Sequence, residues 1–404
     1  MCAEAGVLSG LIGVLLSLTC LLSRTTLAAI PGLMPEKNYD LSGEVSYQIT
    51  VTDPARQPHS LDQMLRQRLK AEYRFNPDFR LNAGLRHRLI WGDTAQDPRY
   101  TALISQDPGS VDLSANWHES SHAAGNSQLE RLYFTWNHQD WQVKGGRQRI
   151  NWSMATIWNP NDLFNTYSLY EIDDAERPGT DALLISRKTG YASGIGLAYN
   201  PNQNHELTGY SGRWFFSHSG WDIQLLGGKS GFDQVMGTGF AGDILGAGFR
   251  GELSWFHPEH RDWQGRETHA TLVSTLETDY SFAGDNHWLI KAAWLYISHP
   301  EALTGTVTFL DQSFLSQSLN ARRLSFSRHS YYGEASVDLT ALLRLTMSGI
   351  YYQDQSVYLS LSGLYSLADD WQLQSGVQYF GGPGSSLYGQ NQQTRMYGLI
   401  RWNF

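Results

Sequence analysis

Thiols are almost absent from this sequence. Its 404 residues hold 2 cysteines, Cys2 and Cys20, and both fall within the first apolar stretch, so a chain processed beyond residue 28 carries none. That excludes disulfide staples and Cys-based metal sites, and it suits passage through an oxidising periplasm. Thr19 is a poor match to the small residue that precedes a lipidated Cys, so Cys20 is not read as a lipid anchor. Long apolar runs are missing after residue 29. With a mean hydropathy of -0.37, the chain does not suit a polytopic helical membrane protein, whose spans each need about 20 apolar residues in a row. A strong charge excess is missing too. The net charge of -9 is dispersed, which favours solubility and gives no footprint for a nucleic-acid partner.

What is present suits a β protein. An aromatic share of 13% and 39 glycines fit many short strands joined by tight turns, and neither a linker nor a composition break divides the chain. The exception is the start. Val7 to Leu22 is almost wholly apolar, and Arg24 and the stretch Thr26, Leu27, Ala28, Ala29 follow it. This predicts a signal peptide over residues 1–28 and a mature barrel over 29–404, although Glu4 and the lack of Lys or Arg in Met1 to Gly6 depart from the usual pattern.

Alternation with period two runs from end to end. Leu65, Leu69, Ala71, Tyr73 and Phe75 share one face, with Arg66, Arg68, Lys70, Glu72 and Arg74 between them. The second set cannot face hydrocarbon, where a midplane Arg or Lys costs about 2 to 4 kcal/mol, so it is assigned to a lumen. After the turn Asn76, Pro77, Asp78 the next strand puts Phe79, Leu81, Ala83, Leu85, Leu89 and Trp91 opposite Arg80, Asn82, Arg86 and Arg88. Similar apolar faces recur at Trp288, Ile290, Ala292, Trp294, Tyr296 and at Val357, Leu359, Leu361, Gly363, Tyr365, Leu367.

Short turns (His138 to Asp140, Ser217 to Gly220, Ala283 to Asn286, Ala368 to Asp370) alternate with long polar stretches at 92–127, 151–181, 257–267, 299–328 and 382–392. An all-β transmembrane antiparallel up-and-down β-barrel follows. A turn near Asp243 to Gly246 makes the count eighteen strands with both termini periplasmic; sixteen is the alternative. A soluble sandwich or propeller fits less well, because its inner face is dry and these polar faces are rich in Arg. The last stretch, Met396, Gly398, Ile400, Trp402 and Phe404, alternates with Arg395, Tyr397, Leu399, Arg401 and Asn403. It looks like the terminal strand of bacterial outer-membrane proteins, whose final Phe resembles the signal for the barrel-assembly machinery.

Gly146, Arg147, Gln148, Arg149, Ile150, Asn151, Trp152, then Trp158, Asn159, Pro160, Asn161, Asp162, Leu163, Phe164, Asn165, resembles a signature of proteobacterial porin-like barrels. The layout resembles the eighteen-strand group of alginate-export and substrate-specific porins. This implies a monomeric channel in a Gram-negative outer membrane, among its lipid and lipopolysaccharide, without cofactor or enzymatic activity.

The residues expected to guide small polar or anionic solutes are Arg66, Arg68, Lys70, Arg74, Arg80, Arg86, Arg88, Arg131 and Lys144, which the alternation turns inward on neighbouring strands. Rings or ladders of basic groups raise anion concentration in a pore. The stretch 151–181, with Asp162, Glu171, Asp173, Asp174, Glu176 and the single opposing Arg177, is expected to fold inward as a constriction loop. Like charges on adjacent strands repel, so Glu72, Glu130 and that acidic loop are the groups that would neutralise the basic wall.

Three other chemistries compete with a channel. His118, Glu119, Ser120, Ser121, His122 matches H-E-x-x-H, which holds zinc only when both His sit on one helix turn; Gln128 stands at the third ligand position of the longer motif and the surroundings are poor for a helix. No Gly-x-Ser-x-Gly elbow supports an outer-membrane hydrolase, although a triad is recognised by geometry and not by order. A barrel that anchors or assembles surface polysaccharide would use Trp91, Trp117, Trp255 and Trp263 as stacking platforms, but aromatic girdles account for most of these.

Overall fold

The computed structural model describes residues 37–404 apart from 98, 99, 101, 103, 105, 108, 166–178, 264, 265, 285 and 302–319. The expected signal segment lies outside the described residues. Eighteen antiparallel strands form the wall. The first six are β1 (Tyr39–Pro54), β2 (Ser60–Arg74), β3 (Phe79–Gly92), β4 (Ala123–His138), β5 (Trp141–Gln148) and β6 (Thr180–Gly190). Next come β7 (Ser193–Asn200), β8 (Gly209–His218), β9 (Trp221–Ser230), β10 (Asp233–Ile244), β11 (Ala247–Pro258) and β12 (Thr271–Ser281). The ring is completed by β13 (Leu289–Ile297), β14 (His329–Thr340), β15 (Leu343–Tyr352), β16 (Val357–Ala368), β17 (Trp371–Gly381) and β18 (Gln393–Asn403).

Each strand pairs with its neighbours in sequence, and β1 pairs with β18, Tyr47 opposite Ile400 and Glu44 opposite Asn403. At the seam Gly43 and Phe404 exchange both backbone hydrogen bonds, 2.8 and 3.0 Å. A Cβ at Gly43 would stand 2.6 Å from the Phe404 ring, so the missing side chain lets that ring lie on the wall. Closure leaves no edge, which is the condition for strands to cross lipid.

The expected split of residues 231–256 is present. Leu245 and Gly246 form the two-residue turn between β10 and β11, both with positive φ (56° and 83°), as Ser219 and Gly220 do between β8 and β9. Such left-handed pairs match the right-handed twist of a hairpin. The long connections all lie at the end opposite the chain ends of β1 and β18, together with the short links at Gly231 and Phe232 and at 353–356, while the other end holds short turns.

Parity then sorts the side chains. On β16 Leu359, Leu361 and Leu367 are exposed on the outside, as are Met347 on β15, Leu276 on β12, Met236 on β10 and Leu197 on β7. An apolar outer surface of this extent belongs in hydrocarbon, with Trp141, Trp214, Trp255, Trp288 and Trp371 exposed among it. One further strand shares the sheet. Ser114–Glu119 pairs only with the upper part of β4, Asn116 opposite Asn126, and continues the wall above the short β5. Replacing Leu361, half exposed on the outer face, by Arg should cost about 2 to 4 kcal/mol in denaturant unfolding from lipid vesicles. Unchanged stability would mean that this face does not meet lipid.

Candidate functional site

Basic residues oppose one another across β2 and β3: Arg66 faces Arg88, Arg68 faces Arg86, Arg74 faces Arg80, and Lys70 faces Gly84. Directly opposed like charges are destabilising unless something lies between them. Carboxylates do. Arg68 bonds Glu44 of β1 and Glu130 of β4, each at 3.0 Å, and Arg86 stands 2.8 Å from the other oxygen of Glu130. Nearer the short turns Arg74 bonds Asp40 at 2.8 Å and Glu72 at 3.1 Å, with Arg80 3.8 Å from Glu72. Arg401 of β18 extends the row, 3.5 Å from Glu44. Arg88 donates to the Ile104 carbonyl and to Asn126, Arg66 approaches the Met64 sulfur, and Lys144 sits 5.9 Å from the Tyr133 ring centre. The basic residues named from sequence therefore form one arc, with acids interleaved among them.

A β-bulge places the bridging carboxylate. Between β3 and β4 the register shifts so that Gly84 faces Arg131 while Leu85 faces Leu129, which leaves Glu130 as the extra residue. Two consecutive side chains, Glu130 and Arg131, thus reach the inner side, as strict alternation forbids. Gly84 makes room, since a Cβ there would come 3.1 Å from the Arg131 Cβ.

Most of the remaining inner wall is covered. After β5 the chain enters the barrel and residues 150–165 follow the inner faces of β6 to β12. Trp152 packs with Ala182 and Ala198 and meets Phe164 edge-on, ring centres 5.1 Å apart. Gln224 of β9 donates to the Trp152 carbonyl at 2.7 Å, Asn161 donates to the Thr238 carbonyl at 3.0 Å, and Ser254 donates to Asn161 at 2.7 Å. Ile157, Trp158 and Leu163 then join Phe256, Leu295, Ile297, Ile350, Tyr358 and Phe380 in an apolar core. Phe326 and Tyr388, from the long connections before β14 and β18, complete it; Phe326 stacks on Tyr352 at 4.5 Å. At this level the inner faces of β6 to β17 are lined by protein. Among the described residues, the inner faces of β18 and β1–β5, the arc with the basic residues, carry charged and polar side chains in place of that apolar packing, with a small cluster of Ile90, Ile104 and Ala124 above them and Asp107 and Val111 bonded to Arg147 of β5.

Of the acidic stretch expected to face this arc, Asp162 is buried and accepts the Asn165 N–H at 3.1 Å, within the segment that lies against the far strands. Glu171, Asp173, Asp174, Glu176 and Arg177 lie outside the described residues. Alternation failed to single out Arg213 on β8. Its guanidinium is held 4.7 Å from the Phe215 ring and 5.5 Å from that of Trp152, and among the described residues it makes no ion pair. Its inward parity was the available signal. His118 stands in the Ser114–Glu119 strand and His122 in the turn that leads into β4, with His118 opposite Gly125, so the H-E-x-x-H spacing is not on a helix. Among the described residues no group of three His, Cys, Asp or Glu side chains converges on a metal position.

No family model and no curated protein matches the sequence. Among solved structures the chain is similar to the outer membrane protein OprD from Pseudomonas aeruginosa, with a TM-score of 0.55 at 7% identity over 91% of this chain and 94% of that one. It is similar to the outer membrane protein OpdK of the same organism (0.55, 6% identity, 90% and 99% covered) and to OccAB2 of Acinetobacter baumannii (0.54, 9% identity, 91% and 100% covered). At these identities the likeness is one of fold.

The two kinds of carboxylate in the arc should respond differently to neutralisation. Glu130→Gln leaves the buried Arg68 and the half-buried Arg86 without their shared counter-charge and should cost about 3 kcal/mol or more. Glu72→Gln, in a half-open pair, should cost less than about 1 kcal/mol. Unfolding midpoints in urea measure both, and equal effects would contradict the assignment of Glu130 as the bridge.

Proposed function

We propose that this chain is an outer-membrane channel through which small polar and anionic solutes diffuse passively, along the arc of β18 and β1–β5. One observation supports the reading: among the described residues the inward segments pack on β6 to β17, while the other part of the wall gathers Arg66, Arg68, Lys70, Arg74, Arg80, Arg86, Arg88, Arg131 and Lys144, which we read as the side of the solute path. Fixed cations beside a narrow aqueous path attract anions and lower their barrier to entry. The fold likeness to OprD and OpdK, both outer membrane proteins by name, supports the placement. In this reading residues 1–28 direct export, the barrel-assembly machinery inserts a monomer among outer-membrane lipid and lipopolysaccharide, and the long connections face outward. Asp162 with Glu171, Asp173, Asp174, Glu176 and Arg177 belongs to the stretch that narrows the pore.

Reversal potential under a salt gradient tests the selectivity. The native channel should prefer anions, and a variant with Arg66, Arg68 and Arg86 changed to Gln should shift toward neutrality; cation preference in the native protein, or no shift, defeats the reading. Deleting residues 166–176 should raise single-channel conductance. An unchanged value would place that stretch outside the pore.

A further inference from the structure

The inward segment is fastened to the far wall by two carboxylates that alternation alone would count as ordinary lumen-facing charges. Glu252 of β11 and Glu277 of β12 are 2% and 1% exposed. One oxygen of Glu252 accepts the backbone N–H groups of Met154 and, at 2.8 Å, of Ala155; its other oxygen accepts that of Asn161 at 3.0 Å. Glu277 accepts the backbone N–H of Thr156 at 2.7 Å and of Ile157 at 3.0 Å with one oxygen, and the Thr156 hydroxyl at 2.5 Å with the other. Four successive amides, from Met154 to Ile157, are thereby spent on two wall side chains. In an irregular buried segment those donors have no ladder of their own, so wall acceptors are what permit the segment to lie there.

The wall opposite is cleared to receive them. Gly239 stands in register with Glu252, and Gly237 with Ser254. A Cβ on Gly239 would come 3.0 Å from the Asn161 side chain and 3.1 Å from the Met154 sulfur; one on Gly237 would come 2.8 Å from Asn161. The two glycines of β10, next to Glu252 on β11 and Glu277 on β12, make a socket across three neighbouring strands. Glu277 has Arg250 at 3.2 Å as a counter-charge, whereas Glu252 has no ion pair among the described residues. Its charge is met by the segment's amides, so undocking would strand donors and carboxylate together.

We propose that Glu252 and Glu277 are positioning residues that hold the pore open. They do not line the solute path; they keep residues 154–161 on the wall opposite the basic arc, and the aperture is what remains. The inference rests on the channel reading above, and its test separates the two.

In planar bilayers the native channel should carry a steady current. Glu252→Gln with Glu277→Gln keeps side-chain size but presents amide hydrogens to backbone N–H groups, and it should give repeated closures with open occupancy reduced about tenfold. Gly239→Leu, which leaves both carboxylates in place and crowds Met154 and Asn161 out of the socket, should do the same; it serves if the double variant fails to form a heat-stable barrel. A disulfide between Met154→Cys and Gly239→Cys, added to the double variant, should restore steady current and lose it again under reductant. A spin label on Ser153→Cys should be immobile in the native barrel and mobile in both undocked variants. Steady native-like current in the undocked variants, or a label that stays immobile in them, overturns the proposal. Absence of current in the native protein would defeat the channel reading, while the label would still report whether these carboxylates hold the segment.

Discussion

Every backbone N–H and C=O that crosses lipid must find its partner inside the chain, and the pairing of β1 with both β2 and β18 is how this protein meets that requirement. The remaining architecture follows from it. A closed ladder fixes a period of two, which sends Leu41, Leu197, Leu276 and Leu361 outward and frees the other face for any chemistry that can be satisfied locally. With the outside obliged to be apolar, function has only the inner face and the connections to work with.

The inner face is used in two unlike ways. Along β6 to β17 it behaves as the wall of a folded globule, with Phe256, Leu295, Ile350 and Phe380 packed against segments that return from the rim. Along β18 and β1–β5 it is a lattice of guanidinium and carboxylate groups in which Glu44 and Glu130 each serve cations on more than one strand. The packed half holds the inward segments in place by apolar contact, and the charged half holds its cations in place by interleaved acids. Buried charge pairs add little net stability but are costly to break, so the lattice constrains geometry more than it adds cohesion.

The sequence was most legible where one face is obliged to be apolar and the other polar. Leu65 to Arg74 and Phe79 to Trp91 announce their register outright, and so does the turn at Leu245 and Gly246, because the count of long and short connections demands it. At β13 the outer run Trp288, Ile290, Ala292, Trp294, Tyr296 was read correctly, but the inner face was not legible, because Leu295 and Ile297 are apolar where a water-facing lumen would want polar residues. The burial of those inner residues depends on Ile157, Trp158 and Tyr388, brought there by connections far away in the chain. Glu252 and Glu277 were hidden for the opposite reason. An acidic residue on the polar face of a strand looks the same whether it meets water or the amides of a segment about a hundred residues earlier. Arg68 and Glu130, 62 positions apart, likewise become partners only once β1 to β4 stand side by side.

The extra residue at Glu130 has a bearing on how this wall can change over time. Above it the inner positions of β4 are Asn126 and Gln128, below it Arg131, Tyr133 and Thr135, so the strand changes parity midway. Losing one residue from the interior of β4 would either erase the bulge, and with it the inward Glu130, or turn one half of the strand inside out, driving Gln128 or Arg131 into hydrocarbon. The interior of that strand can therefore change length by single residues only at the expense of the carboxylate that Arg68 and Arg86 share, whereas its two ends are free of this constraint.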